Sequence, residues 1–527
     1  MRTPIATERA SGREIRQTVA VSKLRNILIA STLIALTACS NRGDEVSTTS
    51  AAPTDSAPTD SAAPSTDAPT ADAITFGDVP SPCGPAPDGV TPTVAEGEGG
   101  GATDVIRIAA ASDKGNVAVP GLNAELYDAT AAFAGWCNEQ GGIAGLPLEV
   151  IDADAKLFEV PAQMENVCTN AFAMVGGGWA FDDQEFPRFH ECDMIDFAGF
   201  TVSAAKSSSD NLVSAMPNPS DRKDAGWFKW ATAVYPESMT AFATVFSDIT
   251  TAQIVEQQYI EAAEIVGGVT TVERITYNSL GETSWVPIAQ KLKSAGARAV
   301  AFVGVPEVLA LLTKAMDEIG YRPDLIMADA GFYAEVLVER GGASVDGVVI
   351  RTAFTLLEEA ERVKAVRDYV DMVKTHTTDG KISGLGMQAA SASLLFASAA
   401  RDCIEAEGVL LRACVMEAAK SYTTWTGGGL HAPSQPGRGI PSPCYQMITV
   451  KDGAFARLYP PIEPTDADRA IVDTVEITAD GWACDESTPS ASMRSRAAEE
   501  NSNEAEAACM PRPEILPSVV WVLTMST

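Results

Sequence analysis

Between Asp104 and Asp329, short apolar runs alternate with amphipathic segments of helix length. This rhythm constrains the fold more than any single motif, because a strand that must cross a whole helix before it meets its neighbour pairs parallel to it. Asp104 to Ala111 reads as a first strand, and Leu122, Leu126, Ala129, Phe133 and Trp136 share a helical face between Gly121 and Gln140. Gly141-Gly142 stops that helix, since glycine enters the left-handed C′ conformation without a Cβ penalty. Strand and helix signals then repeat at 148–152, 162–170, 172–178 and 194–200, and again at 241–246, 271–277, 299–304 and 325–329. Pro217-Asn218-Pro219 separates the two series. Proline fits neither a helix interior nor a central strand, so this segment reads as a crossing between two lobes. An α/β fold of two open, mostly parallel sheets follows, with ligands expected beyond the carboxyl ends of the strands. Those ends carry Ser112-Asp113, Gly176 to Trp179, Gly199 to Ser203, Ser247-Asp248, Gly304 to Glu307 and Asp329 to Tyr333.

The amino-terminal segment settles a different question. Lys23 and Arg25 precede an apolar run, Ile27 to Ala38, which ends in Leu36-Thr37-Ala38-Cys39. The run falls short of the ~20 apolar residues that span a bilayer, so it reads as a processing signal. Leucine at −3 and alanine at −1 before a cysteine form a bacterial lipoprotein signal, with Cys39 becoming the acylated amino terminus after removal of residues 1–38. Residues 1–20 fall outside such a signal, and Val21 is an alternative start. Residues 40–73 consist almost wholly of Ser, Thr, Ala, Pro and Asp. Too few apolar groups are present to offset the entropy of ordering the chain. With the glycine-rich stretch at 96–103, they suggest a disordered tether over 39–103.

Acidic residues number 70 against 38 basic ones, giving a formal charge of −32. Such a surface repels nucleic acid and anionic lipid. Only three histidines occur, and no His-Glu-x-x-His or Gly-x-Ser-x-Gly stretch is present. The Gly176–Gly178 run lacks the spacing and the lysine of a phosphate cradle. No enzyme activity, metal or cofactor is expected, and His431 reads as structural. Ten cysteines fit an oxidising compartment. Cys403 and Cys414 flank a short connection between helices. Cys168 and Cys192 end helices that precede consecutive strands. Both pairs read as disulfides, with Cys444–Cys484 and Cys83–Cys137 as further candidates. The polar stretch 485–527 reads as a disordered tail in which Cys509 is unpaired.

Trp136 to Gly145 followed by Asp152 and Asp154, Phe172 to Gly178, Glu318-Ile319-Gly320-Tyr321, and Trp425 to Pro433 together carry a resemblance. The region from Asp104 to Cys484 resembles the branched-chain-amino-acid-type substrate-binding proteins of ABC importers, the last block being similar to actinobacterial lipoprotein members. The resemblance implies a type I periplasmic-binding fold of two Rossmann-like lobes, 104–219 with 351–430 and 220–350 with 431–484. Three crossings are implied, near Pro217–Asp221, Val349–Phe354 and Gly427–Pro433. It implies an amino acid or related amide held between the lobes and passed to an ABC permease. The ligand carboxylate would meet backbone N–H groups near Gly177, Gly178 and Trp179 and the hydroxyls of Thr201 and Ser203. The ammonium would meet Asp329 or Glu307, and Phe332 and Tyr333 would pack the side chain. Trp179 departs from the family, where a small hydroxyl residue is common after the glycines. The alternative is a sensory receptor of the same fold signalling to a membrane partner.

Overall fold

The computed structural model describes residues 74–185, 188–201, 203–220 and 222–485. The chain first lays down β1 (Ile106–Ser112), α1 (Ala124–Glu139), β2 (Leu148–Asp154), α2 (Val160–Asn170), β3 (Ala173–Val175) and β4 (Ile195–Phe197). These strands form a parallel sheet in the order β2-β1-β3-β4. Every residue of β1 except Arg107 is buried, as expected of a central parallel strand with helices on both faces.

Past Pro219 the chain builds α3 (Gly226–Val234), β5 (Phe242–Ser247), α4 (Thr250–Val266), β6 (Thr271–Tyr277), α5 (Val286–Ser294), β7 (Ala299–Val303), α6 (Pro306–Glu318), β8 (Leu325–Ala328), α7 (Glu335–Gly341) and β9 (Val348–Thr352). It then returns to the first lobe as α8 (Lys364–His376), α9 (Gly384–Glu407) and α10 (Arg412–Ser421), and ends in the second lobe as β10 (Cys444–Lys451), β11 (Ala454–Tyr459), β12 (Glu476–Ile477) and β13 (Ala483–Cys484). The second sheet has the order β12-β13-β10-β9-β8-β7-β5-β6, with β11 pairing β10. It is parallel from β6 to β9 and antiparallel from β9 outward. The long helix α9 packs on α1. Its run of small residues, Ala389, Ala390, Ser391, Ala392 and Ser393, is buried, with Ser391 facing His431 and Trp425. Ser383 caps its start by accepting from Gly386 N–H, and Gly408 closes it in the left-handed conformation.

Several boundaries differ from the sequence reading. Residues 74–103, expected to belong to the tether, are folded against the first lobe. Thr93–Val94 pairs with Val409–Leu410, Gly77 N–H donates to Asp368 at 2.7 Å, and Cys83 is bonded to Cys137. The glycine-rich stretch is held because Arg412 donates to the carbonyl of Glu98 at 3.1 Å, a contact that local composition does not reveal. Val349 to Thr352 form most of a central strand, so the second crossing starts after Thr352. The third lies beyond His431, since Ala432 N–H donates to Ala353 O and holds those two crossings side by side. Cys168–Cys192, Cys403–Cys414 and Cys444–Cys484 are also disulfides. Cys39, the tether at 39–73, Cys509 and the tail beyond Asp485 lie outside the described residues. No helix among the described residues is long and apolar enough to cross a membrane.

Candidate functional site

The carboxyl ends of both sheets border one cavity of about 750 Å³, within the range of small-molecule sites. In the first lobe the wall is fixed by Asp113, which follows β1. Its buried carboxylate accepts from Leu157 N–H and Ala180 N–H, both at 2.8 Å, joining the loops after β2 and β3. Burial pushes its pKa up to about 6, against the two amides that lower it. Leu157, Ala180, Phe200 and Thr201 line the cavity on this side.

On the second lobe, Asp329 follows β8 and accepts from Gly331 N–H at 3.2 Å. Its other oxygen accepts from Tyr259 O–H at 2.7 Å. The Lys223 ammonium lies 5.0 Å from the Tyr259 ring centroid and lines the cavity. Burial pulls the Lys223 pKa below its ordinary value, with the Asp329 charge opposing that shift. Arg351 at the end of β9 also lines the cavity and is paired with Asp224, its Nε donating at 2.8 Å.

Four of the residues expected from sequence line the cavity: Thr201, Glu307, Asp329 and Phe332. Five do not. A Cβ on Gly177 would sit 2.1 Å from the Ala111 nitrogen, and Gly178 N–H already donates to Ala111 O at 3.0 Å. These glycines let the loop close onto β1 and leave no free amide at Gly178. Trp179 is buried, and its indole N–H donates to Ala153 O at 2.9 Å. The large residue after the glycines is therefore core, not pocket. Ser203 accepts from Lys206 N–H at 3.2 Å, and its own N–H donates to Asp182. Tyr333 is buried, donates to Glu358 and packs edge-on against Phe455. Sequence reading passed over Lys223 and Arg351. The only signal was the charged stretch Asp221 to Asp224 just after the proline crossing.

The lobes touch across the cleft. Thr251 O–H, at the start of α4, donates to Ala180 O at 2.9 Å. A neutral hydrogen bond contributes about 0.5–1.5 kcal/mol, so Thr251→Val should shift the ligand-free protein toward a more open state. Solution scattering should show a larger radius of gyration, and an unchanged value would mean that this bond does not hold the lobes together.

His431 sits where the third crossing leaves the first lobe. Its Nε2 meets Ser391 Oγ at 2.8 Å and its Nδ1 meets Ala432 O at 2.8 Å, while Trp425 N–H donates to the same serine. A carbonyl can only accept, so Nδ1 carries the proton and Nε2 accepts from the serine. Burial lowers the histidine pKa to about 4. The unfolded chain thus binds an extra proton between about pH 6.5 and 4. Stability from this group is present above pH 6.5 and lost as pH falls towards 4. His431→Gln should remove that component from denaturation midpoints measured across the interval.

Among the described residues, no group of three or more His, Cys, Asp or Glu is placed to hold a metal ion. Residues 106–454 match the model of the family described as periplasmic binding protein. No curated relative matches the chain by sequence. Among solved structures, the chain is similar to a fatty acid ABC transporter substrate-binding protein from Thermomonospora curvata, with 14% identity, a TM-score of 0.61, and coverage of 71% of this chain and 95% of that one. A leucine binding protein from Thermotoga maritima gives 16% identity, a TM-score of 0.56, and coverage of 67% and 98%. The branched-chain amino acid transporter substrate binding protein from Streptococcus pneumoniae, solved with isoleucine, gives 14%, 0.56, 67% and 99%. At such identities these structures speak to the fold alone, two lobes of the type I periplasmic-binding kind. With about two thirds of its length matched by one family model, and with that fold around a shared cleft, the chain belongs to the periplasmic binding protein family.

Proposed function

We propose that the chain is a solute receptor at the outer face of the cell membrane, anchored through acylated Cys39, that hands a small carboxylated solute, amino acids included, to an ABC permease. The observation that carries this reading is the cavity walled by both lobes, with Thr201 on one side and Lys223 and Asp329 on the other. A ligand touching both walls binds the closed state better than the open one and shifts the population by that difference. Binding and closure are the whole activity on this reading, with no bond made or broken. The names of the similar structures point to fatty acids in one case and to leucine or isoleucine in others, and do not choose between them.

Native mass spectrometry of the purified protein tests the reading. A stoichiometric small molecule that is released on unfolding supports it, and a protein that neither retains nor rebinds any organic acid or amino acid refutes it. Anchoring is tested separately. Cys39→Ser should abolish metabolic labelling by a fatty-acid analogue and release the protein, and unchanged labelling would sink that part.

A further inference from the structure

We propose that the solute is an organic monoanion with an apolar body, its carboxylate held by the Lys223 ammonium beside Arg351; this rests on the solute-receptor reading and narrows it. The charged groups at this end of the cleft are not equivalent. Both oxygens of Asp329 already accept, from Tyr259 O–H and Gly331 N–H. Asp224 is taken by Arg351. Lys223, by contrast, makes no hydrogen bond or ion pair among the described residues, its closest partner being the face of Tyr259. A desolvated ammonium with three empty donors calls for an anionic acceptor. A ligand ammonium brought to Asp329 would instead meet Lys223 as a like charge.

The walls complete the description. Leu157 and Phe200 from the first lobe and Ile249, Val255, Val303 and Phe332 from the second line the same cavity. They give an apolar body something to bury against from both sides. Of the other acids on the cavity wall, Glu335, Glu339 and Asp379 are exposed, where water screens their charge, and Arg340 and Lys381 line the same wall. Glu125 is buried, and that burial raises its pKa, with the Glu307 charge adding to the shift. Lys381 already offsets Glu125.

Calorimetry on protein stripped of bound solute by unfolding and refolding tests the inference. The probes are octanoate, 3-phenylpropanoate, octanamide and leucine. At least one acid should bind, with the amide and leucine much weaker. Lys223→Met should weaken the acid roughly 10- to 100-fold, and Lys223→Arg should recover most of it. Asp329→Asn, which keeps an acceptor for Tyr259 but removes the charge that competes for Lys223, should tighten the acid about threefold to tenfold. Circular dichroism melts on each variant separate a binding loss from misfolding. Leucine binding more tightly than both acids, and weakening about 30-fold or more in Asp329→Asn or Glu125→Gln, would overturn the inference while leaving the receptor reading intact. Acid binding unchanged in folded Lys223→Met, or no acid bound at all, would overturn it as well. Only the further absence of any retained solute in native mass spectrometry would remove the receptor reading.

Discussion

Lys206→Met should cost about 3–5 kcal/mol of unfolding free energy. The Lys206 ammonium lies 2.5 Å from Asp196 Oδ2, and both side chains are about 3% exposed. Asp196 lies on β4, and Lys206 on the short helix Ala204–Ser207 that follows the Thr201 loop. Burial raises the Asp196 pKa, and the lysine is the group that opposes it. Without the lysine, a carboxylate is left in the lobe interior with no cation to offset its desolvation. It must then ionise at a penalty or take up a proton. Asp196→Leu combined with Lys206→Met should recover most of the loss, because a well-packed apolar pair replaces a buried ion pair at little net cost. Urea denaturation of the single and double variants gives both numbers. A single-variant loss under about 1 kcal/mol would show that the pair contributes no more than a surface ion pair does.

Asp113→Ala should cost about 2–5 kcal/mol and should also loosen the cleft. The variant leaves the amides of Leu157 and Ala180 without the acceptor that both now share. A buried donor left unpaired costs about 1–3 kcal/mol. Leu157 and Ala180 both line the cavity, and Ala180 O also receives the Thr251 hydroxyl from the other lobe. The same residue therefore supports the fold of the first lobe and the surface on which the second closes. Asp113→Asn should fall between, since its amide keeps one acceptor and presents a donor to the other N–H. Thermal melts measure the stability loss, and affinity for the co-purified solute measures the loosening. A stability loss with unchanged affinity would mean that the loops keep their shape without the carboxylate.

The first lobe and the parallel strands β5 to β8 of the second were legible because those strands announce themselves locally. Thr271 to Tyr277 reads as a strand from sequence and is one, and the others differ by one to three residues at their ends. The antiparallel edge from β10 to β13 was not legible. Glu476–Ile477 and Ala483–Cys484 are two-residue strands that exist because neighbours pair with them, and so short a run carries no periodicity. The segment 74–103 was misjudged for a related reason. Its composition resembles a linker, yet Cys83–Cys137, Asp368 and Arg412 tie it down from positions far along the chain.

The site divides in the same way. Sequence places Thr201, Glu307, Asp329 and Phe332 after strands, and strand ends face the cleft, so position alone brings them there. It does not tell which way a loop side chain turns. Trp179 and Ser203 stand at strand ends too, but one packs into its own lobe and the other caps a helix. Nor does it tell which charges are already spent. Asp329 looks like a free anion in the sequence, and only the packing of α4 on β5 and β7 brings Tyr259 to it. Lys223 is one basic residue in a charged crossing until the second lobe closes around it. The sequence by itself determined the alternation of strands and helices, and hence two lobes with a cleft at their strand ends, because both depend on residues close together in the chain. Tertiary structure decided the folding of residues 74–103, the edge strands and the polarity of the cleft, because each depends on which distant groups compete for the same hydrogen bond or charge.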